Sequence, residues 1–512
     1  MKPLTLGVPL AAENHVTTEK FAGTPGEPRM PVLEAPAIAI ALAGLAPEWG
    51  GGGTPRPGEP GAAIFGAAID SRQVRPGDLF VALPGARAHG ATFARSAQAA
   101  GAALTLIARA DRALLAPDLD LRRVLWVDDA PLALSALGRA ARAAHETLKV
   151  VAITGSFGKT TTKDMVAGVL GASFRVHATA GNLNNQLGVP LTLLGLTDRH
   201  QAAVIELGMS APGEILALAT LARPRIGVLT GVGRAHLAGL GSRAAILAAK
   251  LELATALGSQ GRLVLSADDP EVLAAARAMG VPLLTASTAG TRPPGVDLVA
   301  EAIAISPAGV TFRVRGRGFD GQEIVLPTPA RVLTGNALLA LLVGSELGVP
   351  AAAMAAALAR IVLPARRLSL KRAQGRLVLD DCYNASPESM AAALATLGEL
   401  PVRRRVGVLG DMRELGPGTL SAHEELGRRA AEVLDLLFVI GEEAETVAAA
   451  AIAAGMPAGA VMVAQDRAQL VSAVRGAARP GDGILVKASR ALGLEVVAEA
   501  LTQDPAQPPE AS

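Results

Sequence analysis

The residues best suited to chemistry lie in one run, VVAITGSFGKTTTKDMVAGVL, where Gly155, Ser156, Phe157, Gly158, Lys159, Thr160 and Thr161 separate an apolar stretch from a helical one. Glycines let the backbone curl so that successive N–H groups point inward, the following helix offers its positive end, and the lysine adds a mobile cation. Such a cradle holds phosphates, and a threonine directly after the lysine supplies a hydroxyl to a divalent cation. The spacing is tighter than the usual phosphate-loop pattern, because Ile153 and not glycine stands five residues before Gly158. A plain strand-to-helix turn is the competing reading, but the strand and helix on either side favour a nucleotide, and hence ATP with Mg2+.

A cation that bridges phosphates takes oxygen ligands, which directs attention to carboxylates at the carboxyl ends of neighbouring strands. Glu206 stands at such an end in AAVIELGMSAPGEI, although a lone acid after a strand also serves as a solvated loop residue or a helix cap. His236, in VLTGVGRAHLAGLGS, occupies the equivalent end of a later strand. It reads equally well as a ligand or as a packed or surface histidine. Lys250 lies among Ala and Leu in AAILAAKLELA. Partial burial there would lower its pKa and leave its amine nucleophilic, whereas a snorkelling lysine would keep its head in water.

These side chains need a scaffold, and from Lys149 onward the pattern becomes apolar strand, glycine turn, amphipathic helix: KVVAITG, a helix over Thr160 to Leu170, AAVIELG, RIGVLTG and RLVLSADD. That order is the signature of an α/β fold built on a parallel sheet. After Pro364 it restarts with RLVLDD, RRVGVLGD, LLFVIG, AVMVA and GDGILVKASR, which implies a second α/β domain. Upstream, a first compact unit ends near His145 and carries a Gly/Pro-rich loop at Gly50 to Gly61. The expected organisation is a tail over 1–35, an N-terminal domain over 36–145, a central ATP-binding domain over 146–362, a C-terminal Rossmann-like domain over 363–502 and a tail over 503–512. Both ends are rich in Pro, Glu, Ala and Thr without periodicity and read as solvated.

Composition narrows the class. A chain of 512 residues, 50% hydrophobic, has material for two or three cores. No apolar run reaches the roughly 20 residues of a membrane helix, so no membrane insertion is expected. A net charge of +2 with scattered Lys and Arg gives no footprint for nucleic acid or an anionic surface. Cys382 is the only cysteine, which excludes an internal disulfide framework and a cysteine zinc site and suits a reducing compartment. The N-terminal run MKPLTLGVPLAAENHVTTEK has no signal-peptide pattern. A cytoplasmic monomer is expected.

Taken in order, the motifs resemble the ATP-dependent Mur ligases, over roughly residues 60 to 500, and within them the branch that adds D-alanyl-D-alanine. TGSFGKTTTK resembles the family's phosphate loop, GNLNNQLGVPLTLL its asparagine-rich substrate segment and IELGMSAPGEI the strand with its magnesium glutamate; AHLAGLGS, Lys250, DDCYNASPESM, VLGDMRELG and VKASR follow. DDCYNASPESM and VLGDMRELG are the motifs most characteristic of that branch, while DSRQVRPGDLFVALPG resembles a UDP-sugar-binding N-terminal domain.

The resemblance implies a three-domain enzyme that joins D-alanyl-D-alanine to UDP-N-acetylmuramoyl-tripeptide through an acyl-phosphate, in cell-wall precursor synthesis. Another amide ligase of the superfamily, MurE-like or folylpolyglutamate-like, is the alternative, and a nucleotide-binding module without catalysis a further one. It also implies roles. Lys159 and Thr160 would hold phosphates and Mg2+, Glu206 and His236 would add metal contacts, and Lys250 would be the lysine that relatives carry as a carbamate. Arg367 would reach the third phosphate, Asp381 the ribose side and Asn336 the adenine, and Lys487 would approach the reacting centre as the domains close. Asn182, Asn184, Asn185 and Asn384 would contact substrate, and Ser71 with Arg72 the uridine diphosphate. Three positions depart from the family pattern: Val332-Leu333 replaces His-Asn, Gly231 stands where asparagine is common, and RAHGATF replaces an Asp-Gly-His run.

Overall fold

The computed structural model describes residues 30–234, 237–291 and 293–503. His236 lies outside the described residues, as do 1–29 and 504–512. The described chain is already structured before residue 36: Leu33–Glu34 pairs antiparallel with Ala63–Ile64, and the helix Ala35–Ala41 follows. The polar N-terminal composition gives way at Val32, Leu33 and Ile38, which are buried. Two compact units divide the chain, one made of 1–152, 174–208 and 216–225, the other of 153–173, 209–215 and 226–512.

The first unit contains a five-stranded sheet in the order Glu48–Trp49, Val124–Val127, Leu104–Ala108, Leu79–Val81, Ala67–Ala68. All neighbours run parallel except the first pair. Alternation along the strands feeds two cores. Leu79 and Val81 face a cluster with Ile38, Leu134 and Leu137, whereas Phe80 packs with Ala97 and Trp126. The helix Ala130–Ala143 begins at an Asp129 cap and meets the helix Gly188–Leu193 closely, since a Cβ on Gly138 would lie 2.8 Å from Pro190 Cα. Its buried Arg142 donates to the carbonyls of Ala222 and His145. Val176–Ala178 and Ala202–Glu206 form a parallel pair in the same unit.

In the second unit, Ile226–Leu229, Arg262–Ser266, Leu283–Ser287 and Leu298–Ser306 pair in parallel in that order. Gly309–Gly316 and Phe319–Leu326, which the sequence pattern did not mark, continue as an antiparallel meander. The two-residue connections leave no room for a crossover helix, and Arg317 and Gly318 both take positive φ, as a tight hairpin turn requires. The helix Lys159–Gly171 packs against Val332–Glu346, where a Cβ on Gly344 would lie 2.5 Å from Val169 Cγ1.

A six-stranded sheet in the same unit runs Ser369–Ala373, Arg376–Asp380, Asp482–Lys487, Arg404–Gly410, Leu436–Ile440, Val461–Val463, parallel apart from its first pair. Helices cover both faces, which explains why its central strands are continuous apolar runs rather than alternating ones. No described helix is long and apolar enough to cross a membrane.

Candidate nucleotide site

The strand Lys149–Thr154 ends in the glycine-rich turn, and the helix Lys159–Gly171 begins at once. Gly158 is its N-cap with φ 74°, a left-handed conformation that a side chain would strain. Gly155 is confined differently, because a Cβ there would collide with the Thr230 hydroxyl. That hydroxyl donates to the carbonyls of Phe157 and Thr154, and Ser156 N–H donates to Gly231 O at 2.8 Å. The loop is therefore braced from the turn after the strand Ile226–Leu229. Thr230 carries no motif signal, so the sequence did not mark it.

Lys159 Nζ donates to Gly155 O at 2.8 Å, folding the cation over its own loop. Thr160 and Thr161 are buried in the first helical turn. Asn336, on the neighbouring helix, lies against the same loop: a Cβ on Gly158 would come 3.4 Å from its Oδ1. Gly231 explains one departure from the family pattern. A Cβ there would sit 2.6 Å from the Phe157 ring, leaving no room for an asparagine beside this aromatic.

Lys250 is 2% exposed on the helix Arg243–Leu257. Burial pushes its ammonium well below the ordinary lysine value, and the nearby Lys159 cation adds to this. Among the described residues no carboxylate pairs with it. The side chain is therefore not snorkelling, and its burial stabilises the neutral amine relative to that of an exposed lysine.

Glu206 closes its strand with 1% exposure. Its Oε1 accepts from Asn184 Nδ2 at 2.8 Å, whereas Oε2 is buried with no partner among the described residues. A buried carboxylate oxygen without a donor is what a hard cation satisfies. Of the other asparagines, Asn182 O accepts from Asn184 N–H at 2.7 Å. Asn185 Oδ1 accepts from Gly188 N–H and so helps start the helix Gly188–Leu193. In the N-terminal sheet region, Arg72 folds back onto Asp70, pairing at 2.8 Å, beside Ser71 on the same short 3-10 turn. Arg72 holds the Asp70 carboxyl below its ordinary value.

The C-terminal residues are held by one another and by their own segment. Lys487 is 1% exposed, and its ammonium is held by Asp381 Oδ2 at 2.6 Å and Asn384 O at 2.8 Å. The other Asp381 oxygen accepts from Leu368 N–H at 3.0 Å. Lys487 and Asp381 are thus each other's partner. Arg367 instead stacks over Tyr383 at 4.0 Å, with Nε buried and without a partner among the described residues. It is flanked by left-handed Arg366 and Leu368, two strained positions in one short connection. Glu388 is a contact the sequence did not mark: its Oε1 accepts from Arg234 N–H at 2.9 Å.

A strand, a braced glycine loop, a lysine and threonines in the first helical turn define a nucleotide-dependent α/β enzyme. The chain belongs to the Mur ligase family. Three family models match it in order: a Mur ligase catalytic domain over 64–142, the Mur ligase middle domain over 153–344 and a Mur ligase glutamate ligase domain over 366–490. Among curated relatives, the UDP-N-acetylmuramoyl-tripeptide--D-alanyl-D-alanine ligase of Bacillus subtilis is 34% identical, covering 86% of this chain and 94% of that one. That of Mycobacterium tuberculosis H37Rv is 38% identical, with 85% and 92% covered. Among solved structures, MurF from Acinetobacter baumannii matches with TM-score 0.78 at 29% identity, covering 93% of this chain and 99% of that chain. MurF from Thermotoga maritima in complex with ADP matches with TM-score 0.72 at 29% identity, covering 85% and 96%.

Proposed function

We propose that this chain joins D-alanyl-D-alanine to UDP-N-acetylmuramoyl-tripeptide at the expense of ATP, forming ADP and phosphate, in the cytoplasmic synthesis of peptidoglycan precursor. The observation that carries this reading is the agreement of the relatives' named reaction with a phosphate loop whose glycines, lysine and threonine are all in place. A carboxylate is inert to amines because its oxygen is a poor leaving group. Its attack on the γ-phosphorus of ATP expels ADP and makes an acyl-phosphate. The dipeptide amine then attacks the carbonyl, and the tetrahedral intermediate collapses with loss of phosphate. Lys159 and Arg367 balance phosphate charge, and closure of the C-terminal domain excludes water.

Mg2+ suits the orphan Glu206 oxygen and the Thr160 hydroxyl, with His236 as a further ligand, and it would neutralise charge on the phosphates. Asn336 would face the base, and Asn182, Asn184 and Asn384 the substrates. Ser71 and Arg72 would hold the uridine diphosphate once Arg72 leaves Asp70. Asp381 and Lys487 would first have to exchange each other for ligand. Lys250 would be carbamylated: burial lowers the cost of its neutral amine, the form that captures carbon dioxide, and capture would turn a cation into an anion. Restoration of Lys250→Ala activity by bicarbonate or short carboxylates is expected, and no restoration removes the carbamate from the account.

The test is phosphate release by the purified chain with Mg-ATP and UDP-N-acetylmuramoyl-tripeptide. Release should require D-alanyl-D-alanine and yield a pentapeptide product by mass. Release driven by a single amino acid instead would replace the reading with that of a MurE-like ligase.

A further inference from the structure

We infer that Glu388 is a positioning residue that ties the C-terminal ligase segment to the phosphate loop through the turn Gly231–Arg234. The inference rests on that loop being the nucleotide site. Glu388 sits in the first turn of the helix Pro387–Glu399, where an acid ordinarily faces its own helix terminus and water. Here Ser386 and Ser389 already form a reciprocal cap. The carboxylate turns instead to a segment 154 residues upstream, accepting from Arg234 N–H at 2.9 Å and lying 3.5 Å from Arg234 Nε. Its second oxygen is buried with no partner among the described residues. The turn is cut to fit: a Cβ on Gly233 would lie 2.5 Å from the Glu388 carboxyl carbon.

The opposite side of the same turn touches the phosphate loop. Gly231 O accepts from Ser156 N–H at 2.8 Å, Gly233 O faces Ser156 Oγ at 3.5 Å, and Gly231 abuts the Phe157 ring. Four residues thus connect an acid of the C-terminal segment with Ser156 and Phe157 of the loop. The far end of the helix is also held, by Arg331 Nε on Glu399 Oε1 at 2.7 Å. The helix is a strut about 20 Å long, clasped to the central segment at both ends. Arg234 is half-exposed, and an ion pair of that kind is weak enough to open and close with the domain. Docking of the C-terminal segment is therefore felt at Ser156 and Phe157, and undocking removes one anchor of the turn that braces them.

The test compares the full chain with Glu388→Ala, Glu388→Gln, Arg234→Ala and the double alanine variant, reading ADP affinity by calorimetry and amide hydrogen exchange. Glu388→Ala should weaken ADP about three- to tenfold, the size expected for one charge-assisted hydrogen bond. It should also speed exchange at 155–158 and 231–234 while leaving the strands Arg404–Gly410 and Asp482–Lys487 protected. Glu388→Gln keeps an acceptor for Arg234 N–H and should recover part of the affinity. The double variant should be no weaker than the weaker single one. Wild-type affinity and exchange in Glu388→Ala, or single effects that multiply, would overturn the proposal. Arg234→Ala keeps the backbone N–H bond to Glu388 and loses only the 3.5 Å Nε pair, so its effects should be smaller and of the same sign. Should Glu388→Ala not fold, Glu388→Gln carries the comparison, and wild-type affinity and exchange in it would overturn the proposal. If the wild-type chain binds no ADP, the nucleotide reading fails, and exchange at 155–158 still decides the coupling.

Discussion

Replacing Lys487 by methionine separates a structural role from a chemical one. The ammonium is buried and meets Asp381 Oδ2 at 2.6 Å and Asn384 O at 2.8 Å. Methionine matches its volume but strands the Asp381 carboxylate with Leu368 N–H as its remaining donor. Breaking one side of a buried ion pair destabilises by about 3–5 kcal/mol, because the surviving charge stays desolvated. At roughly 2–4 °C per kcal/mol for a unit of this size, melting should fall on the order of 10 °C. Adding Asp381→Asn removes the stranded charge, keeps an acceptor for Leu368 N–H and should restore most of the loss. Differential scanning calorimetry of the single and double variants reads this directly. A Lys487→Met protein that melts within about 2 °C of the wild type would refute the reasoning and return Lys487 to the reacting centre.

Other perturbations have equally definite outcomes. Gly158→Ala forces a side chain into φ 74°, a strain of about 1–2 kcal/mol, so melting should fall by about 2–8 °C, and a loop that shifts to relieve the strain should bind ADP roughly tenfold more weakly by calorimetry. Gly231→Asn places atoms where the Phe157 ring stands; it should abolish nucleotide binding, and Phe157→Ala in the same chain should recover it. Burial, together with the neighbouring His177 and His145, holds His200 at about 4, and burial likewise depresses His177. Their neutral forms are favoured in the folded chain, so this stability is complete above pH 6.5 and is lost as pH falls toward about 4. His200→Asn should flatten that part of the melting profile, and an unchanged acid slope would remove these histidines from the explanation.

Legibility followed sequence distance. The phosphate loop could be read because strand, glycines, lysine and helix are contiguous, so local conformation alone fixes their geometry. Glu206 and Lys250 could be read as candidates from apolar context, but whether either was buried or partnered depended on packing. The Lys487–Asp381 pair spans 106 residues and the Glu388–Arg234 contact 154. No local pattern encodes which distant backbone amide or ammonium an acid will meet. The antiparallel meander is hidden for a different reason: its hairpin turns at Arg317-Gly318, both with positive φ, and an Arg-Gly pair is a weaker turn signal than Asn-Gly or Asp-Gly. Gly231 looked like a loss against the family pattern until Phe157 was seen to fill the space.

Oxygen transfer is the most direct test of the account's central claim, that ATP activates a carboxylate before the amide forms. UDP-N-acetylmuramoyl-tripeptide labelled with 18O in its terminal carboxylate should hand one labelled oxygen to the phosphate released with D-alanyl-D-alanine, as mass spectrometry of the phosphate would show. Unlabelled phosphate, its fourth oxygen drawn from solvent, would mean that water, and not the carboxylate, attacks ATP, and the acyl-phosphate account would be wrong.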